Sequence, residues 1–174
     1  IEDFIALTNL NCDNNQIVSL DLSQNINIIS LEVPFNQLTS LDITQNTILA
    51  NLRVGFNQIT ALDVSNNTAL TELWCNNNQL TILDLSQNSS LNTIYCDYNN
   101  LQNLDLRNGN NINVTDHIFD NNPNLNCISV DDATWATANW TNIDQHTIFL
   151  DDCASYVALD TDFSADATSV CEGT

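Results

Sequence analysis

Residues 73–88 read LWCNNNQLTILDLSQN, and nearly the same phrase stands at 10–25 as LNCDNNQIVSLDLSQN. The two superimpose when the chain is slid along itself in steps of 21 residues, from Leu10 to Leu31, Leu52 and Leu73, and every intermediate step fits as well. The leading column is Leu10, Leu31, Leu52, Leu73, Ile94, and two residues on stand Cys12, Val33, Val54, Cys75, Cys96. Asn15, Asn36, Asn57, Asn78 and Asn99 follow, then Ile17, Leu38, Ile59, Leu80 and Leu101. The column ahead of these is Leu7, Ile28, Leu49, Leu70, Leu91, Ile112. A fixed Asn among aliphatic columns at a constant period marks a chain built from stacked identical units.

The second half of each unit has its own rhythm. Leu20, Leu41, Leu62, Leu83, Leu104 form one column, and Leu22, Ile43, Val64, Leu85, Leu106 form the next. Asn25, Asn46, Asn67 and Asn88 close it. The consensus L-x-x-L-x-[CV]-x-x-N-x-[LI] is a short-period leucine-rich repeat. It predicts a mainly β solenoid with parallel strands on both sides of each coil, because the period leaves little room for a helix. Neighbouring strands are then about 4.8 Å apart. Inward Asn side chains bond turn backbone that would otherwise lack partners.

The rhythm stops after Arg107. Asn108-Gly109-Asn110-Asn111 is a turn-rich insertion, and one irregular coil runs through Phe119 and Asn122. The solenoid is assigned to 1–123, without a visible N-terminal cap. Residues 124–153 change character and are expected to cover the last coil's bare core face. Cys127 to Val130 reads as a last strand. Asp131-Asp132 caps a short helix carrying Trp135 and Trp140. Thr147 to Leu150 reads as a closing strand, with Cys127 and Cys153 pinning the cap as a disulfide. Residues 154–174 read as a linker and the start of a further domain.

Composition bounds the partners. The chain has 22 acidic residues and two basic ones, for a net charge of -20. Phosphate backbones and anionic headgroups are repelled, so nucleic acid and membrane surfaces are not expected partners, and without a run of about 18 apolar residues no membrane insertion is expected. Cations or a basic protein patch suit this charge better, and it also suits a salty medium. A hydrophobic content of 43% argues against disorder.

The quoted phrases, together with NNPNLNCISVDDATWATANWTNID in the cap, resemble short-period leucine-rich-repeat proteins of Bacteroidetes over roughly residues 1–153. The resemblance implies a secreted or cell-surface location and no reaction. The closing stretch FSADATSVCEGT resembles the opening of a PKD or immunoglobulin-like domain. The chain thus reads as a monomeric module from a longer modular protein.

Outward positions carry the functional information. Asn11, Glu32, Arg53, Trp74 and Tyr95 lie between the two core columns of the first strand and must point out. Arg53, Glu72, Trp74, Tyr95 and Tyr98 form a candidate ligand face, since exposed aromatics beside an Arg are the composition of interface anchors. The same residues are also what ordinary cross-strand packing requires. On the opposite strand Asp21, Asp42, Asp63, Asp84 and Asp105 form an unbroken ladder. It is either a row for cations such as Ca2+ or sugars, or a set of carboxylates bonded to nearby backbone and hydroxyls. Mutual repulsion is expected to raise their pKa values, largely offset by hydrogen bonds to Ser23, Thr44, Ser65 and Ser86.

Cys12, Cys75 and Cys96 read as buried thiols in a core column, with a Cys75–Cys96 bridge as the alternative. Cys171 has no evident partner. His117 and His146 lack metal-ligand spacing, and neither Asp131-Asp132 nor Asp151-Asp152 makes an acid/base pair. Asn66, Asn88, Asn113 and Asn139 lie in glycosylation sequons. No catalytic motif is present. The expected function is non-enzymatic binding or adhesion toward a protein ligand. The alternatives are a surface glycan stacked on Trp74 and Tyr95, or a structural spacer or cation-binding solenoid.

Overall fold

The computed structural model describes residues 4–155. Beyond Ser155, the expected linker, the start of a further domain and Cys171 lie outside the described residues. The chain winds as a parallel-strand solenoid. Strands β1 (Asn9–Asn11), β2 (Ser30–Glu32), β3 (Asn51–Arg53) and β4 (Glu72–Trp74) lead one face. They are followed by β6 (Thr93–Tyr95) and β8 (Asp116–Ile118), making a six-stranded sheet in the order β1-β2-β3-β4-β6-β8. The pairing is parallel and in the register of the repeat, with Leu10 opposite Leu31, Leu31 opposite Leu52, and Leu73 opposite Ile94.

Each strand is only three residues long because the alternation lasts only that far. A buried Leu is flanked by two half-exposed residues, and the Asn corner then turns the chain. At that corner Asn14, Phe35, Phe56, Asn77, Tyr98 and Asn121 take left-handed backbone, with φ between 51° and 56°. The inward Asn beside each one stabilises the bend. Asn57 Nδ2 donates to the carbonyls of Val33, Val54 and Gly55, and its Oδ1 accepts the Leu38 N–H at 3.0 Å. Asn78 and Asn99 repeat the arrangement one and two coils on.

The opposite face is less uniform than its sequence. Strands β5 (Ile82–Asp84), β7 (Asn103–Asp105), β9 (Cys127–Ser129) and β10 (Ile148–Leu150) pair as a four-stranded sheet ordered β10-β9-β7-β5. Residues 20–22, 41–43 and 62–64 carry the same alternation but form no ladder. Corner Asn46 and Asn67 still bond carbonyls of the coil before, at 2.9 Å, so these coils are joined on this side through side chains and not through a ladder. The core registers this: Leu41 and Leu62 each keep 7% exposure, whereas Leu83 and Leu104 keep 1% and 2%.

The C-terminal end is closed as the sequence predicts. Helix α1 (Ala133–Asn139) starts at Asp132, whose carboxylate accepts the Trp135 N–H at 2.9 Å. Trp140 is buried and meets Phe119 and Phe149 edge to face, with ring centroids 5.5 and 5.6 Å apart. Cys127 and Cys153 form a disulfide. Cys75 and Cys96 are buried free thiols. Cys12 is also free but only half-buried, which corrects the expectation of burial. It lies in the first described coil, where little chain covers the column from the N-terminal side.

Candidate functional site

The candidate face is the outward row of the six-stranded sheet. Parallel register places Glu32 beside Arg53, Arg53 beside Trp74, and Trp74 beside Tyr95. Arg53 does two things at once. Its Nη2 pairs with Glu72 Oε1 at 2.8 Å, and its guanidinium carbon lies 4.2 Å from the Trp74 ring centroid. The Tyr95 ring covers the other side of Trp74, centroid to centroid 4.9 Å and tilted by 32°. Both faces of the indole are therefore occupied, and its Nε1 is buried without a hydrogen-bond partner.

Tyr95 is anchored in turn. Its hydroxyl donates to Asp116 at 2.6 Å, and that bond, with burial and the Asp116 charge, pushes its pKa up to about 12. It stays a neutral donor at any physiological pH. Four of the five residues expected to form the face thus come together as one coupled row. Tyr98 stands apart on the left-handed corner, 56% exposed.

That corner holds what sequence reasoning missed. Phe35 and Phe56 occupy left-handed backbone with their rings stacked at 4.2 Å and an interplanar angle of 14°. They remain 48% and 43% exposed. Bulky residues at positive φ are uncommon, because Cβ crowds the following carbonyl at about 1–2 kcal/mol. Asn14 and Asn77 fill the same column in neighbouring coils and tolerate that backbone. Aromatics standing where Asn belongs were the available signal. The two rings, Glu32, Arg53 and Trp74 wall a pocket of about 400 Å³. Gly55 lies between them because the coils approach closely there: a Cβ on it would sit 2.6 Å from Asn76 Oδ1.

The aspartate ladder has a different character. The N–H groups of Ser23, Thr44, Ser65, Ser86 and Arg107 donate to Asp21, Asp42, Asp63, Asp84 and Asp105 at 2.9–3.0 Å. Each Asp thereby closes a turn within its own coil. These bonds, with those from the Ser and Thr hydroxyls, hold Asp21, Asp42 and Asp63 below the usual carboxylate range. Asp105 is lowered mainly by the Arg107 side chain, which grips it at 2.6 Å and reaches Asp152 at 3.4 Å. The expected upward shift from repulsion is therefore corrected: a short bond to a local donor outweighs a like charge one solvent-screened strand away. Among the described residues, no three His, Cys, Asp or Glu side chains converge so as to hold a metal ion.

The remaining reactive groups are sheltered. Burial pushes the Cys75 thiol up to about 12 and Cys96 well above its ordinary value, so neither is a ready nucleophile. His117 occupies the core column opposite Ile94, between the rings of Phe119 and Trp140, and neither ring nitrogen has a partner. His146 is exposed. Among the described residues no helix is long and apolar enough to cross a membrane.

No protein-family model matches the chain, and no curated protein matches it in sequence. Solved structures do resemble it. The functional domain of InlJ from Listeria monocytogenes, which includes a cysteine ladder, superimposes with a TM-score of 0.54 at 24% identity. That match covers 86% of this chain and 40% of the other. A leucine-rich-repeat protein of Leptospira interrogans gives a TM-score of 0.58 at 21% identity, covering 86% of this chain and 43% of that one. The internalin InlF of Listeria monocytogenes gives 0.53 at 21% identity, covering 82% and 48%. The shared property is the leucine-rich-repeat solenoid, and the chain spans less than half the length of each of these proteins.

Proposed function

We propose that this chain is a non-enzymatic protein-binding or adhesion module, and that its ligand seats on the face running from Arg53, Glu72, Trp74 and Tyr95 to the corner aromatics Phe35, Phe56 and Tyr98. The observation that carries this is the exposed Phe35–Phe56 stack on strained backbone beside the Arg53–Trp74 pair. Strain retained at exposed aromatics, where Asn would be relaxed, fits selection for contact with something outside the chain.

The described solenoid and its disulfide-closed C-terminal end fit a binding module. A disulfide closing the cap suits an oxidising secreted or cell-surface setting, as does the likeness to Bacteroidetes repeat proteins. A charge of -20 opposes pairing between copies and favours a monomer.

A glycan stacked on Trp74 is less well supported, because stacking needs a free ring face and Arg53 and Tyr95 cover both. The aspartate ladder is read as structural, each carboxylate serving its own turn, so no cation is required.

The test is capture from surface-protein extracts by the immobilised full chain. Capture should fall for Trp74→Ala, by about 2 kcal/mol in affinity for a central anchor, and for Phe56→Asn, while Asp63→Asn binds normally. Capture that survives both face variants, or is competed away by free sugars, overturns the proposal.

A further inference from the structure

Resting on that reading of the face, we propose that the pocket between the Phe35–Phe56 stack and Arg53–Trp74 receives a lysine or arginine side chain of the protein ligand, its alkyl stem on the phenyl rings and its charge at Glu32 and Asp13.

The first argument is charge that the chain cannot answer internally. It has only two basic side chains, Arg53 and Arg107. Arg107 is committed to Asp105 and Asp152 on the opposite face. Arg53 is committed to Glu72 and the Trp74 ring. Glu32 and Asp13 both line the pocket, and among the described residues neither has an ion-pair partner. Their side-chain contacts are neutral donors, Asn11 Nδ2 to Glu32 at 3.1 Å and Asn14 Nδ2 to Asp13 at 2.8 Å.

The second argument is the wall. Phe35 and Phe56 present exposed ring surface next to those carboxylates. A long cationic side chain is the group that satisfies both, since its methylenes cover apolar surface while its head stays polar. A cation near an aromatic ring is also attracted to the ring itself, and Arg53 already makes that contact with Trp74. A second copy of this chain is a poor occupant: it carries the same -20 charge and only two cations, both engaged. At long range the same charge steers a basic partner toward the molecule.

The experiment uses the full chain and short Gly/Ser peptides with a single central Lys, Arg or norleucine, titrated to millimolar concentration while the backbone amides of Gly55 and Phe56 are followed by NMR. The Lys or Arg peptide should shift both amides and bind about tenfold more tightly than the norleucine peptide. That preference should shrink with added salt, collapse in the Asp13→Asn/Glu32→Gln double variant, and be absent in Phe35→Asn/Phe56→Asn. Asn at these two positions matches Asn14 and Asn77, so the variant tests binding rather than folding.

Equal binding of the norleucine peptide overturns the basic-side-chain proposal and leaves the protein-ligand face standing. Lys and Arg peptides that leave Gly55 and Phe56 unmoved also overturn it. The broader reading fails separately, when a partner captured from surface extract still binds both Trp74→Ala and Phe35→Asn/Phe56→Asn.

Discussion

The guanidinium carbon of Arg53 lies 4.2 Å from the centroid of the Trp74 ring while the same side chain holds Glu72 at 2.8 Å. One cation thus fixes two neighbours, and the row Glu72, Arg53, Trp74, Tyr95 behaves as one unit. Arg53→Gln should lower stability by less than about 1.5 kcal/mol, since the pair is partly exposed and a cation–π contact adds about 0.5–1 kcal/mol. It should nevertheless change Trp74 fluorescence by opening one face of the indole. Urea unfolding checks the first and emission spectra the second. An unchanged spectrum would mean that Arg53 does not hold the ring in solution.

Phe35 and Phe56 should be dispensable for folding. Each occupies backbone that costs about 1–2 kcal/mol for a residue with a Cβ, and their stack returns about 0.5–1.5 kcal/mol. Phe56→Asn should therefore leave the denaturation midpoint within about 1 kcal/mol of wild type, whereas Phe56→Val, β-branched at positive φ, should be clearly worse. A loss above about 2 kcal/mol for Phe56→Asn would make the aromatic a structural residue.

The aspartate ladder fixes the sign of the acid response. Asp21, Asp42, Asp63 and Asp105 have folded pKa values lowered from 3.8. Their stabilisation is fully present above that value and is lost as pH falls through the lower folded values. Asp63→Asn keeps an acceptor for the Ser65 N–H but cannot titrate, so its melting temperature should fall less steeply with acid. A chain that grows more stable on acidification through this range would show that repulsion dominates after all.

His117 gives a second limb at milder pH. Burial between Phe119 and Trp140 lowers its pKa from 6.5, against a smaller upward pull from Asp116. The unfolded chain then binds the proton more readily than the folded one. Stability is lost as pH falls below 6.5 toward the lowered folded value. His117→Leu restores the column's usual residue and should flatten this limb, read by tryptophan fluorescence of the cap. Identical profiles for variant and wild type would exclude His117 as the group responsible.

The Cys127–Cys153 bridge closes a 26-residue span. Replacing both cysteines with serine should cost about 3 kcal/mol through a less constrained unfolded chain. Denaturant unfolding of the double variant measures it, and a change under about 1 kcal/mol would mean that aromatic packing alone secures the cap.

Much of this molecule is legible in its repeats. The aliphatic columns at Leu31 and Val33 become the core, and the Asn36 column becomes the corner bond network. Cys127 and Cys153 mark the cap because they bracket the stretch where the repeat's columns stop. Two things escape such a reading. Alternation at Leu41 and Leu62 says which way side chains point, not whether the backbones on that side pair, so the missing ladder at 41–43 and 62–64 is invisible. Phe35 and Phe56 follow the strand, where period-two logic no longer assigns a face. The left-handed backbone they share with Asn14 and Asn77 is what holds their side chains outward beside Arg53.

The corner asparagines give the solenoid an arrow. The amide N–H of Ile17, Leu38, Ile59, Leu80 or Leu101 finds its acceptor on the Asn of the following coil, Asn36, Asn57, Asn78, Asn99 or Asn122. Asn122 is in turn held through its own N–H by Asp144 of the cap at 2.7 Å. Stripping a coil from the C-terminal side strands an N–H that the preceding coil cannot satisfy. Stripping one from the N-terminal side strands other donors, since the Gln37 N–H bonds the Ile17 carbonyl and the Ile29 and Ser30 N–H groups bond that of Thr8. Neighbouring coils thus complete one another, and an Asn lost from one corner frees an N–H in the coil before it, so the damage is felt one turn toward the N-terminus.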